Sequence, residues 1–191
     1  MGHFRTTING NGESFDTLAD ILPESGSLNI LIVAKVPAPT SVAIGHYFQG
    51  HQGQMFWSGL TKAGLLSTLP DEFEDEALMR HRIGLMDIVK KPKEYGIEPT
   101  KEDYRQGVDR IMRAVFTYQP EMLIFVYKKV LDQILKHGFR EQIKTRYGLN
   151  EHLDLLFRSK VFVYPMPGVG RLNKEAIDRA MDELVRECLQ R

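Results

Sequence analysis

The segment Leu28-Asn29-Ile30-Leu31-Ile32-Val33-Ala34 is apolar almost without interruption. A half-exposed strand would alternate apolar and polar residues, and a surface helix would repeat its apolar residues every three or four positions. A short run that is apolar on both parities marks a strand buried on both faces, as in a parallel sheet covered by helices. Three further segments have the same character: Ile83 to Val89, Met122 to Tyr127 and Val161 to Tyr164.

Helical periodicity fills the intervals. Phe56 to Leu66 opens the first crossover, and Phe73 to Arg82 begins in the acidic cluster Asp71, Glu72, Glu74, Asp75 and Glu76, which suits a helix N-terminus. Thr100 is a good cap for a helix whose stripe is Val108, Ile111, Met112, Val115 and Phe116, and Pro120 ends it. Val130, Leu131, Ile134 and Leu135 repeat the pattern, with Gly138 as a stop. Asn173 caps a last helix with the stripe Ile177, Met181, Leu184, Val185, Cys188 and Leu189. This alternation predicts a three-layer α/β/α domain with a four-stranded parallel sheet over residues 28–191. Residues 1–27 are polar and glycine-rich, and the spacing of Phe15, Leu18, Ile21 and Leu22 suggests a short docked helix behind a loose first dozen residues.

Composition narrows the class of protein. The 191 residues carry 25 Lys+Arg against 25 Asp+Glu, a net charge of zero, which disfavours sequence-blind coating of nucleic acid more than it disfavours a small local site. Sixteen Gly and nine Pro amid sustained apolar periodicity exclude collagen-like and disordered classes. Cys188 is the only cysteine, so no intrachain disulfide or cysteine-ligated cluster forms. No secretory leader is visible, and the longest apolar run is too short to cross a bilayer. A cytoplasmic location, at the nucleoid if the source is prokaryotic, and a monomeric state without membrane contact are the expectations.

In a sheet of this kind the ligand crevice lies beyond the carboxyl ends of the strands. Two rigid loops leave strands there: Ala34-Lys35-Val36-Pro37-Ala38-Pro39, and Pro165-Met166-Pro167-Gly168-Val169-Gly170-Arg171. Between them in sequence, Gly45 to Trp57 gathers His46, Tyr47, Phe48, Gln49, His51, Gln52 and Gln54 before Phe56-Trp57. Amides and imidazoles read the edges of planar heterocycles, and an aromatic ring stacks on their faces. Phe56-Trp57 fits helix core better than ligand contact. There is no His-x-x-x-His pair with a glutamate, no Gly-Lys-Ser/Thr phosphate loop and no Gly-x-Ser-x-Gly elbow. No metal is suggested.

The order of these landmarks, together with Gly64 and Tyr118-Gln119-Pro120, resembles the uracil-DNA glycosylase superfamily over roughly residues 28–190, nearest the mismatch-specific uracil/thymine branch. The resemblance implies a domain that flips a damaged or mispaired base out of double-stranded DNA and hydrolyses its N-glycosidic bond in base excision repair, with no cofactor. The iron–sulfur cluster of some relatives is excluded by the single cysteine.

Carried over by position, Phe48 is the aromatic that stacks on the flipped base. The family's Gly-Ile-Asn-Pro-Gly motif is Ala34-Lys35-Val36-Pro37-Ala38 here, so Val36 stands where an asparagine positions the attacking water. Met166 replaces the pocket asparagine of the second motif, and Val169, Gly170, Arg171 and Leu172 form the loop that enters the duplex. Valine holds no water, so another group must do so: Gln54 matches an asparagine used by a hypoxanthine-acting branch, His51 stands nearby, Asp87 ends the second strand, and Lys35 is a candidate nucleophile, although a surface lysine is the commoner fate. The alternative is a divergent member that binds a nucleobase or damaged DNA without cleavage. Residues 35–57 and 161–174 contain no acid, which predicts a small acid-free DNA face.

Overall fold

The computed structural model describes residues 3–10, 12–94, 96–166 and 174–189. Its centre is a five-stranded sheet in the order β4-β3-β5-β7-β6, built from β3 (Ile30–Ala34), β4 (Ile83–Asp87), β5 (Met122–Phe125), β6 (Gly148–Leu149) and β7 (Lys160–Val163). The four strands expected from the apolar runs are present and mutually parallel. The fifth, β6, pairs antiparallel with β7 and makes the sheet mixed. Two residues are too few to leave an apolar run, so β6 had no sequence signature.

The strands are buried along their length because each parity meets a separate core. Ile30, Ile32 and Ala34 face one cluster, with Phe56, Trp57 and Leu60 of α2 (His51–Lys62) and Leu184 of α7 (Lys174–Leu189). Leu31 and Val33 face the other, with Val108 and Ile111 of α4 (Lys101–Tyr118) and Val130 and Leu131 of α5 (Lys128–Ile134). The three-layer α/β/α arrangement follows. Thr100 caps α4 as expected, its hydroxyl accepting from Asp103 N while the Asp103 carboxylate accepts from Thr100 N. The Phe73 to Arg82 segment is a short helix, α3 (Glu74–Ala77), continued by a 3₁₀ turn over Leu78–His81. Helix α5 runs on through a π turn (Leu135–Phe139) that includes Gly138, so the chain turns at Arg140 rather than at that glycine. Asn173 lies outside the described residues. Another short helix, α1 (Pro39–Ile44), follows the exit of β3, and α6 (Asp154–Phe157) precedes β7.

The N-terminal segment departs from expectation. It is an antiparallel hairpin, β1 (Arg5–Gly10) with β2 (Glu13–Leu18), rather than a loose tail and a helix. Phe15 lies in β2 opposite Ile8, Leu18 ends that strand, and Ile21 bridges to Leu85 at the edge of the central sheet. Their spacing mimicked a helix because two of the four residues lie beyond β2, in the segment that docks on β4. Leu18 and Ile21 belong to the core facing α2. Among the described residues no helix is long and apolar enough to cross a membrane.

Candidate functional site

The connection leaving β3 packs on one face of the sheet, through α2, while those leaving β4 and β5 pack on the other, through α4 and α5. The adjacent strand ends thus send their connections to opposite faces, and a crevice opens where they separate. It is a cavity of about 720 Å³ whose lining includes Leu18, Val36, Tyr47, Phe48, Asp87 and Met166.

Asp87 is the principal chemical group of the inner wall. Strand periodicity puts Ile83, Leu85 and Asp87 on one face of β4, the first two in the apolar core. The row reads Ile, Leu, Asp, and the carboxyl stands at the strand's carboxyl end, where the core gives way to the cavity. Asp87 is 1% exposed, and its Oδ2 is buried with no hydrogen-bond partner. Desolvation pushes its pKa up to about 7, with Lys90 and Arg110 opposing and Asp20 reinforcing the shift. Arg110 donates to the Asp87 carbonyl oxygen. It reaches that atom because α4 lies against the exit of β4 at Gly107, where an added Cβ would sit 1.7 Å from the Ile88 oxygen.

Phe48 is held by a buried scaffold. Asp75, fully buried, accepts from Tyr47 N at 2.7 Å and lies 2.8 Å from His46 Nδ1, and Phe73 stacks on the His46 ring. The Tyr47 carbonyl receives Trp57 Nε1 at 3.2 Å and Gln49 Nε2 at 3.0 Å. The Tyr47 hydroxyl donates to Ala19 O at 3.0 Å. These bonds fix the backbone on both sides of Phe48, which has φ of 58°, a left-handed conformation uncommon for a non-glycine residue. Gly53 is the fitting neighbour, since a Cβ there would meet the Phe48 oxygen at 2.0 Å. Phe48 packs on Phe56 and Trp57, with ring centroids 4.7 and 5.4 Å away, and lines the cavity. Phe56 and Trp57 are core residues, as their sequence context suggested.

The other sequence-derived candidates divide. Val36, half-buried, and Met166, 3% exposed, line the same cavity, as does the exposed His51. Gln54 does not: it is exposed, outside the cavity lining, with Nε2 3.5 Å from the Phe48 oxygen. Two positions earlier on the same helix, the half-buried Gln52 reaches the lining instead. Lys35 Nζ donates to Glu98 Oε2 at 3.1 Å and lies 5.2 Å from the Tyr127 ring centroid, partners that suit an ammonium ion rather than a nucleophilic amine. Val169, Gly170, Arg171 and Leu172 lie outside the described residues.

The expected acid-free face is corrected by the fold. Lys35, Lys93, Lys128 and Lys129 line the cavity, but each meets an acid that lies outside residues 35–57 and 161–174. Lys35 and Lys129 share Glu98, at 3.1 and 3.6 Å, Lys93 meets Asp103 at 3.4 Å, and Lys128 meets Asp132 at 2.8 Å. The acidic cluster of residues 71–76 also reaches the site, since Asp75 anchors the loop carrying Phe48. A count of charges within residues 35–57 and 161–174 missed both because the acids come from other segments. Glu98 is also the acceptor of the Tyr104 hydroxyl at 2.6 Å. Burial raises its pKa, but Tyr104 and Lys35 outweigh that and hold it below the usual carboxylate range.

The network behind Asp87 also left no trace in the sequence pattern. Asp20 pairs with both Lys90, at 2.7 Å, and Arg110, and Thr17 donates to the Lys90 carbonyl at 2.6 Å. Among the described residues no group of His, Cys, Asp and Glu is arranged to hold a metal ion. A comparison with protein-family models matches residues 23–189 to the model described as the uracil DNA glycosylase superfamily.

Proposed function

The chain belongs to the uracil-DNA glycosylase superfamily, and from that premise we propose that it hydrolyses the N-glycosidic bond of a base extruded from double-stranded DNA, with Asp87 as general base. The carrying observation is the buried Asp87 carboxyl, with one unpartnered oxygen, on the wall of a cavity that also holds Phe48. Phe48 stacks on the flipped uracil or other mispaired or damaged base, and the apolar Val36 and Met166 shape the pocket around it. A water molecule beside Asp87 loses its proton to the carboxylate as its oxygen attacks the sugar carbon. The bond to the base nitrogen breaks, and the base departs with the bonding electrons. A carboxyl titrating near neutral pH is well matched to this work: basic enough to take a proton, yet substantially ionised at pH 7.

This assignment answers the loss of the motif asparagine at Val36. Gln54 is less suited because of its exposure, and Lys35 because of its ion pair. His51 remains at the cavity edge, where it suits contact with the extruded nucleotide.

A second reading, binding without cleavage, is favoured by the pair Val36 and Met166, both apolar where the family carries asparagine. One assay separates the two. Duplexes containing uracil, thymine opposite guanine, hypoxanthine or ethenocytosine are incubated with the wild type and with Asp87→Asn, and abasic sites are cleaved and counted. The hydrolytic reading expects product from at least one lesion, and a rate lower by ~10²–10⁴ in the variant. Binding of a lesion duplex with no product from either protein establishes the second reading.

A further inference from the structure

We propose that Asp20 is a positioning residue of this pocket: from outside the central sheet it seats Arg110 and Lys90 and so sets the electrostatic surroundings of the Asp87 carboxyl. Asp20 precedes the residues matched to the superfamily, 23–189, so this control is supplied by the chain's own N-terminal segment. The effect on catalytic rate rests on the reading of Asp87 as general base; the effect on Asp87 ionisation does not.

The geometry is specific. Asp20 Oδ2 pairs with Arg110 of α4, and its Oδ1 lies 2.7 Å from Lys90 Nζ. The three side chains are largely withdrawn from water, with exposures of 17% for Asp20, 15% for Lys90 and 28% for Arg110. Lys90 also donates to Leu18 O, and Arg110 donates to the backbone oxygen of Asp87 itself. The hairpin holds Asp20 in this position: Ala19 N donates to Phe4 O at 2.8 Å, and Ile21 exchanges two 2.9 Å bonds with Leu85, two residues before Asp87 on the same strand face.

Two cations therefore stand behind a buried carboxyl, and Asp20 is what offsets them. Without it, Arg110 and Lys90 would act on Asp87 at full strength and favour its ionised form. With it, their charge is balanced and burial dominates. The charged and titratable groups acting on Asp87 are Lys90 from the exit of β4, Arg110 from α4 and Asp20 from the N-terminal segment. Tyr47, from the loop before α2, is a further neighbour, and burial and then Asp87 raise its hydroxyl pKa well above the ordinary tyrosine range. Three of these four groups belong to the network that includes Asp20.

The test uses the full-length protein and reads Asp87 directly. Carboxyl ¹³C NMR titration, with the Asp87 signal assigned by its loss in Asp87→Asn, is run on wild type, Asp20→Asn and Lys90→Gln. Asp20→Asn removes the charge and keeps an acceptor oxygen for one of the two cations, and it is expected to move the Asp87 midpoint down by roughly one pH unit. Lys90→Gln removes an opposing cation and is expected to move it up. A residue that only braces the fold would not produce shifts of opposite sign. Midpoints that stay put, or move in the same direction in both variants, overturn the proposal, and Asp20→Ser, which also removes the charge, is read in place of Asp20→Asn if that variant fails to fold. Single-turnover base release against pH is measured alongside. If the NMR midpoints move as expected while the rate profiles do not, the role of Asp20 stands and Asp87 is not the base.

Discussion

The cavity has two walls built on different principles. The inner wall, at the ends of β3 and β4, holds a carboxyl and an aromatic ring in place through buried and part-buried bonds, among them Tyr47 N to Asp75 and Arg110 to Asp87 O. The mouth holds four lysines, each engaged by a carboxylate in solvent reach, such as Glu98 at 47% exposure beside Lys35. Burial makes each inner contact worth kilocalories, because a group stripped of water has no alternative partner. Exposure makes each contact at the mouth worth little, since water and salt replace it. The inner wall is suited to chemistry, and the mouth to adjustable, salt-sensitive contact with a polyanion.

Changes at Asp87 test that difference most severely. Besides the loss of rate, Asp87→Asn is expected to make the protein more stable at alkaline pH. The raised folded-state pKa means the native protein holds its Asp87 proton from about pH 4 to about 7, while the unfolded chain has released it. Wild-type stability therefore falls with rising pH across that window relative to a variant with no titrating group there. About three pH units at 1.36 kcal/mol each bound the difference at ~4 kcal/mol above pH 7, and ~2–4 kcal/mol is expected from urea unfolding at pH 8. The difference should vanish near pH 4. No change in relative stability with pH would mean that Asp87 is not desolvated. With Asp87 as base, wild-type single-turnover rates should also rise through about pH 7 and then level, since the ionised form does the work.

The scaffold behind Phe48 comes next. Asp75→Ala leaves the Tyr47 N–H and the His46 ring without their buried acceptor, and ~3 kcal/mol of stability is the expected loss. Chemical unfolding measures it. A loss below ~1 kcal/mol would show that the loop rests on the bonds from Trp57 Nε1 to Tyr47 O and from Gln49 N to Ser41 Oγ rather than on Asp75. Desolvation raises the Asp75 pKa despite its bonds to Tyr47 and His46, so the contribution of this carboxyl to stability is greatest at low pH and declines as pH rises through its folded-state pKa.

Phe48→Ala should leave the fold intact, because the ring borders the cavity as well as Phe56 and Trp57. Its loss is expected to weaken binding to a duplex containing a non-cleavable uracil analogue by ~1–3 kcal/mol, the usual worth of one base stacked on an aromatic. Fluorescence anisotropy reads the change. Unchanged affinity would mean that the extruded base stacks elsewhere, with Tyr127 and Tyr147 the other half-buried aromatics on the lining.

How much of this was legible in sequence follows the same division. Runs such as Ile30 to Val33 announced the sheet because burial on both faces demands apolar residues at both parities. Phe48 was named through the family resemblance and Asp87 through its place at the end of an apolar strand, and both lie on the cavity lining. The pairing of Lys35 with Glu98, 63 residues away, and of Asp20 with Arg110, 90 residues away, left no local pattern. The hairpin was misread for a related reason: Leu18 and Ile21 are apolar because they meet the edge of β4, and helical spacing was incidental to that contact. A lone acid ending a buried apolar row, as in Ile83, Leu85 and Asp87, was the best local signal of the site.

The smallest expected effect lies at the mouth and has the opposite sign. Glu98 occupies Lys35 and Lys129, so a phosphate approaching either lysine must compete with a carboxylate already in place. Glu98→Gln removes that competitor while keeping an acceptor for the Tyr104 hydroxyl. Duplex binding is expected to tighten a few-fold at low salt. The slope of log affinity against log salt should steepen by about one for each lysine newly engaged with phosphate. Inner-wall chemistry should be unaffected once the protein is saturated with substrate. Weaker binding in the variant would mean that Glu98 orients Lys35 toward DNA more than it neutralises it, and the contrast between a fixed inner wall and an adjustable mouth would fail at that residue.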